Sequence, residues 1–424
     1  MSDPGLDDTY LSRQPILDLE QELVGYELRL QPSGEAVSGK KDKENAALLI
    51  CSAYAELGIR SALGRQRAFL RINQDFLHDD AIEALPANCV VLQITPDRAP
   101  DEATLERCRT LRDRRYSLAL GDYTGLDERS APLLTMVDSI GIDIRDKSAQ
   151  RLLELAGPLK HLPLKLLALR VETQEAFKRS RDAGFQLFQG HYFARPEIVS
   201  GRRLSASQAT LIELINLANR DTDTVKLEKR IKHDAALAVN LLSIVNSVGF
   251  GMTRRISSLR HAITILGRRQ LQRWLHLLLM TPAGKAPDPS RIPLLQVAAL
   301  RGRMLELLVG HLRPRDAILA GQAFITGIMS MMPAALGLPM DEIFEQIALE
   351  QEIVAALQAY QGILGKMLAL IECYDAEDIH GCDEILGGFR GAGLDRHMLN
   401  SCLTDSLRWI NGNSDNNEIE QPPD

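Results

Sequence analysis

Carboxylates and amides recur at the C-terminal ends of short apolar runs in the first half of this 424-residue chain. In order, these ends carry Glu27, Asn73, Gln93, the pair Gly121-Asp122, Asp143, the stretch Leu169 to Glu172, and Gln189-Gly190. A hydrolytic site built on two metal ions needs several carboxylates on one rim, because the cations must be neutralised and held a few ångströms apart. The series has suitable residue types, but it is gapped. A second candidate is His233-Asp234 in KHDAALAVNLL, a dipeptide that invites a metal-dependent phosphohydrolase reading. Such a metal shell needs further histidines and an aspartate on neighbouring helices. The nearest histidines, His191 and His261, have no acidic partner at helical spacing, so the dipeptide alone is a weak signal.

The elements that must position these residues change character midway. LSRQPIL (11–17), LVGYELRL (23–30), RAFLRIN (67–73), CVVLQIT (89–95), YSLALG (116–121), SIGIDIR (139–145), KLLALRV (165–171) and FQLFQ (185–189) read as strands. Amphipathic stretches such as ENAALLICSAYAELG and DEATLERCRTLRDRR lie between them, the alternation of βα units. Asp18–Glu22 is too short for a helical crossover, so the first two strands should form a hairpin and the others parallel crossovers. The expected fold class is α/β plus all-α, beginning with a modified, TIM-like β/α barrel whose first strand is irregular. An open doubly wound sheet is the alternative. In a barrel, the C-terminal strand ends form the reactive rim. VSGRRLSAS (199–207) reads as a link with Ser205 or Ser207 as a helix N-cap. Beyond it only helical segments follow, from SQATLIELINLANR through LLQVAALRGRMLELLVG to 315–332 and 341–374. The domains expected are a barrel over 1–202, a helical domain over 203–410, and a polar, acidic, disordered tail over 411–424.

Composition narrows the function class. Hydrophobic residues make up 45% and charged residues 25%, the balance of a soluble globular protein. A net charge of −7 gives no global support to a nucleic-acid partner. The six cysteines are scattered, with no CxxC pair, which suits a reducing cytoplasm, and the acidic N-terminus has no apolar core of a signal peptide. Residues 317–340 carry no charge and could span a bilayer by length. Gln322, Thr326 and Ser330 interrupt the stretch, and Pro333 and Pro339 break it, so a buried helix and a proline turn are expected rather than a membrane span.

At the strand ends the chain resembles a known family. GYELRLQP resembles the EAL motif of EAL-type cyclic di-GMP phosphodiesterases, and FQGHYFARP resembles their late signature, with Gln189, Gly190, Tyr192, Phe193 and Pro196 in place. The resemblance makes Glu27 the EAL glutamate and Asn73 the metal-binding asparagine, although Leu28-Arg29 replaces Ala-Leu. Gln31 stands where a phosphate-binding arginine is expected. Gln93 replaces a glutamate, and Pro96 the second acid of that motif. Gly121 replaces the first member of an aspartate pair, Gly141 a lysine, and Leu169 a glutamate, while Asp122, Asp143 and Glu172 are kept. The resemblance thus implies a degenerate phosphodiesterase domain with no catalytic set and no cofactor. Glu27, Asn73, Asp122, Asp143, Glu172 and Gln189 remain as a residual ligand pocket, or as turn formers and caps.

The helical half resembles the HDOD domain. KHDAALAVNLLSIVNS, HAITILG and AFITGIMSMM are similar to its motifs in order, over about 203–410. The resemblance makes Asp234 the matching residue and His233 incidental. It puts Ser330 and Met331 where a catalytic relative has histidine and aspartate. Asn246-Ser247 reads as a cap or packing pair ahead of a ligand contact. Between Gly251 and Trp274 lie Arg254, Arg255, Arg260, Arg268, Arg269 and Arg273 with no acid among them. Such a cluster suits phosphates or an acidic partner surface, or else a solvated or internally paired face. The whole chain resembles two-domain EAL–HDOD bacterial signalling proteins. That implies a cytoplasmic, non-enzymatic regulator of other signalling proteins, linked to cyclic di-GMP, with a homodimer expected by analogy. The alternatives are a cyclic di-GMP receptor without hydrolysis and, last, a weak metal-dependent phosphodiesterase.

Overall fold

The computed structural model describes residues 9–32, 66–195, 204–220, 224–245, 256, 258–281 and 291–415. The chain divides into two compact units between Arg195 and Pro196. The helix expected from ENAALLICSAYAELG and the link before Leu204 lie outside the described residues.

The first unit is a closed barrel of eight strands in sequence order. They are β1 (Thr9–Leu17), β2 (Leu23–Pro32), β3 (Arg67–Asn73), β4 (Val90–Thr95), β5 (Ser117–Leu120), β6 (Ser139–Asp143), β7 (Lys165–Leu169) and β8 (Leu187–Gln189). The expected hairpin is present: β1 runs antiparallel to β2, through Gln14 opposite Glu27. From β2 to β8 every pairing is parallel. β1 closes the barrel antiparallel to β8, with Ile16 opposite Gln189. The doubly wound alternative is thereby replaced by closure. Helices α1 (Glu102–Asp113), α2 (Ala149–Ala156) and α3 (Gln174–Ala183) supply crossovers, and each starts on a side-chain cap, from Asp101, Ser148 and Thr173 respectively.

Strand alternation decides what fills the barrel. Ile16, Phe69, Val91, Ala119, Leu167, Leu169 and Leu187 form one buried cluster, so their strands' i, i+2 partners also point inward. The inward set one step further along is Arg71, Gln93, Gly121, Gly141 and Gln189, and this is the layer just below the rim.

Among the described residues the second unit forms helices and their connections. It runs α4 (Ala206–Asn219), α5 (Thr224–Lys232), α6 (Ala235–Val245), α7 (Leu259–Leu279), α8 (Pro293–Leu312), α9 (Ala317–Met329), α10 (Met332–Leu336), α11 (Met340–Gln346), α12 (Gln351–Ala359), α13 (Gly362–Asp375), α14 (Ile379–Gly387) and α15 (Arg396–Asp415). Ser205, one of the two expected caps, closes a capping box with Gln208 at the start of α4. α7 breaks at Gly267, where φ is 73° and ψ 160°, a backbone that a side chain would strain. The uncharged stretch 317–340 becomes α9, α10 and the first residue of α11; α9 has 13 residues, too few to cross a bilayer. Among the described residues one segment is long and apolar enough, Gln351–Asp375, with a mean hydropathy of 1.4, and it is broken at Tyr360, where φ is 52°. α15 runs to Asp415, with Leu403, Leu407 and Ile410 buried along it, while 416–424 lie outside the described residues.

Gly190, after β8, is the tightest backbone approach in the barrel. A Cβ there would lie 2.1 Å from the Val171 carbonyl oxygen, on a residue with φ 145°. Gly190→Ala should therefore lower unfolding stability by about 3 kcal/mol or more, read from chemical denaturation of the full chain.

Candidate functional site

The six surviving family positions divide between the barrel interior and its rim. Glu27 and Gln189 are inside and buried. The Gln189 amide donates to Glu27 Oε2, and also to Gln14 Oε1 at 2.6 Å. The two residues most typical of the EAL pattern are therefore joined by a hydrogen bond across the seam where β1 closes the barrel.

The other four sit at strand ends, and each is engaged by its own neighbourhood. Asn73 Oδ1 accepts from the Phe76 backbone N–H at 2.9 Å and turns the chain out of β3. Asp122 pairs with Arg71. Asp143 accepts the Arg145 N–H at 3.0 Å, pairs with the Arg145 guanidinium at 2.9 Å, and faces Arg170 at 3.5 Å. Glu172 pairs with Arg195 at 3.1 Å. Asp122 and Arg170 hold φ values of 49° and 61°, left-handed backbone concentrated at the rim. Asn73 and Asp143 thus make the local backbone hydrogen bonds expected of turn formers.

The replaced positions matter as much. Gln93 is 1% exposed and lies beneath the rim. A Cβ built on Gly121 would meet Gln93 Nε2 at 3.1 Å and Thr95 Oγ1 at 3.0 Å. One built on Gly141 would meet Gln93 Nε2 at 3.1 Å and Leu169 Cδ1 at 3.1 Å. The space that side chains at 121 and 141 would enter is therefore filled from β4 and β7. Neither the amide nitrogen nor the oxygen of Gln93 has a hydrogen-bond partner among the described residues. This is a filler that packs well and solvates poorly. Gln31 lies on β2, where its side chain is outside what is described.

Beyond Gln189, the late signature builds packing. Tyr192 is fully buried and stacks on Phe177, with centroids 4.8 Å apart and planes 9° apart, and burial pushes its phenol well above the usual range.

In the helical unit, Asp234 caps α6 by accepting from the Leu237 N–H at 3.1 Å, and His233 is exposed. Among the described residues no group of three His, Cys, Asp or Glu side chains could hold a metal ion. His276 on α7 is buried against the Gln272 carbonyl, 2.7 Å from Nδ1, and burial lowers its pKa to about 4, so it is neutral at pH 7. Ser330 accepts from Arg301 at 2.9 Å and donates to the Gly327 carbonyl at 2.8 Å. Arg301 also pairs with Asp375 at 2.7 Å and Glu372 at 3.4 Å.

The arginines of 254–273 have separate roles. Arg260 pairs with Glu228 at 2.7 Å, and Arg268 donates to the Ala218 carbonyl at 3.1 Å. Arg273 pairs with Glu306 and lies 4.3 Å over the Phe324 ring. Arg269 is exposed. Arg254, Arg255 and Asn246-Ser247 lie outside the described residues. Three of the four described arginines thus serve their own unit. The arginine missed in the sequence is Arg71. Its signal was parity, since RAFLRIN puts it on the same strand face as Phe69 and Asn73.

Comparison with known proteins places these units. Residues 204–333 match the HDOD domain. Over 413 residues the chain is 29% identical to the cyclic di-GMP phosphodiesterase CdgJ of Vibrio cholerae serotype O1, covering 95% of this chain and 92% of CdgJ. It is 26% identical over 407 residues to the uncharacterized protein YuxH of Bacillus subtilis (strain 168), covering 94% and 97%. A solved calcium–cyclic di-GMP complex of Klebsiella pneumoniae BlrP1 matches at a TM-score of 0.38 and 19% identity. It covers 46% of this chain, which spans 58% of the BlrP1 chain. The eight-stranded barrel, the HDOD match and the end-to-end similarity to CdgJ support the two-domain EAL–HDOD architecture and relate the chain to cyclic di-GMP signalling proteins.

Two stability measurements check the geometry. Gly121→Asp should cost about 1–3 kcal/mol, and the loss should shrink in a Gln93→Ala background, because the two side chains compete for one volume. Asp234→Ala should cost about 1 kcal/mol as a lost cap, whereas His233→Ala should stay within about 0.5 kcal/mol.

Proposed function

We propose that this chain is a non-catalytic regulator in cyclic di-GMP-linked signalling that acts through contacts with other signalling proteins. The observation that carries this reading is the filled layer under the rim, where Gln93 and Leu169 occupy the volume at Gly121 and Gly141. A phosphodiester hydrolase needs an open position for water and substrate beside its cations. Here that neighbourhood is packed, and the acids above it are paired with arginines. On this reading the barrel is a scaffold. The helical unit offers the partner surface, and Asp234 and Ser330 serve its architecture rather than chemistry.

A second reading has one observation on its side. The relative CdgJ is named a cyclic di-GMP phosphodiesterase, and Glu27 and Gln189 are retained here. A receptor that binds the dinucleotide intact would use them, although in the present structure they are hydrogen-bonded to one another.

Calorimetric titration of the purified full chain with cyclic di-GMP in magnesium or manganese, then chromatography of the mixture, separates these readings. The scaffold reading expects no heat at high micromolar ligand and intact nucleotide. Heat with intact nucleotide would make the barrel a receptor, and linear dinucleotide would overturn the non-catalytic assignment.

A further inference from the structure

The EAL resemblance implies a rim that holds divalent metal, and the residues present do not fit one. Asp122, Asp143 and Glu172 each already face a cation of this chain, and the described residues contain no acid or histidine group placed to share an ion. The four arginines involved are not equivalent. Arg145, Arg170 and Arg195 lie on the loops that follow β6, β7 and β8. Arg71 rises from inside the barrel, at the inward position between Phe69 and Asn73 and opposite Gln93 on β4. Its Nε donates to Thr95 Oγ1 at 3.2 Å at the end of β4, and its guanidinium reaches on to Asp122 beyond β5. The side chain therefore crosses a whole strand over the filled layer, and its Nη2 atom is buried.

We propose that Arg71 is the resident counter-cation of the barrel mouth: it takes over at Asp122 the charge role of a metal ion and keeps divalent cations off the rim. Three features support this. The guanidinium is permanently charged and rigid, so it neutralises a carboxylate at any physiological pH. It already contacts Asp122, so an ion bound at that carboxylate would have to share it with a like charge. Arg71 is also the register partner of Gln93 on the neighbouring strand, so the charged and the packed positions are adjacent in the barrel. The inference deepens the regulatory reading and rests on the same idle rim, but it can fail separately.

The test is manganese uptake by the full chain, followed by loss of the free Mn(II) electron paramagnetic resonance signal. The wild type and Arg71→Lys should leave that signal at its buffer level. Arg71→Met, which keeps most of the stem and removes the charge, should bind manganese measurably more than the wild type, though weakly because one carboxylate is freed, and adding Asp122→Asn should reverse that gain. Uptake by the wild type that Asp122→Asn removes would overturn the inference, as would a folded Arg71→Met chain that binds no manganese. If Arg71→Met does not fold, thermal melting still decides. Asp122→Asn alone should lower Tm by leaving a partly buried guanidinium unpaired, and Arg71→Met with Asp122→Asn should recover much of the loss. A double variant no more stable than the worse single would overturn the pairing. Manganese uptake by the wild type without turnover of cyclic di-GMP would sink this inference and leave the regulatory reading standing, whereas turnover would sink that reading.

Discussion

A closed barrel of eight strands has an interior just wide enough for its own side chains, so no layer can be left empty. Everything at the mouth follows from that limit. Gly121 and Gly141 carry no side chain on two adjacent strands, and Gln93 and Leu169 stand beside them from the strands on either side. This arrangement favours packing over hydrogen bonding, since the Gln93 amide is buried with no partner among the described residues. Above the layer, charge obeys a similar limit. Carboxylates crowded on a rim repel unless cations stand among them, and here the cations are covalent parts of the chain.

Much of this architecture was legible in the sequence, because it is written in local periods. All eight strands appear within about two residues of their expected places, since alternation and turn residues are short-range signals. The short Asp18–Glu22 connection dictated the hairpin and, with it, the antiparallel closure against β8. What was not legible was exchange between strands. Read alone, Gln93 is a lost charge that keeps a weak oxygen ligand; only the closed barrel makes it the occupant of its neighbours' space. Arg71 escaped for a related reason. Its partner Asp122 lies two strands away, and strand alternation gives an orientation without a destination.

The arginines between 254 and 273 teach the same lesson in helical form. Spacing along α7 separates its buried stripe from the rest, but it cannot say that Glu228 on α5 and Glu306 on α8 stand opposite Arg260 and Arg273. A further consequence concerns extent. The HDOD match ends at residue 333, but Arg301, within it, pairs with Glu372 and Asp375 on α13, beyond it. A largely buried guanidinium with two carboxylates is costly to leave half-made, so the helices after 333 are structurally committed to those before it.

The shared volume among Gln93, Gly121 and Gly141 also governs how such a barrel can drift over evolutionary time. A lone acid appearing at position 121 enters occupied space, and a lone shrinkage at position 93 leaves a hole. Either intermediate is less stable than the filled and the open arrangements that flank it. Passage between the two therefore depends on the order in which substitutions arrive. Selection for folding alone is then enough to hold a lineage on one side, as a ratchet does, whatever the present use of the rim.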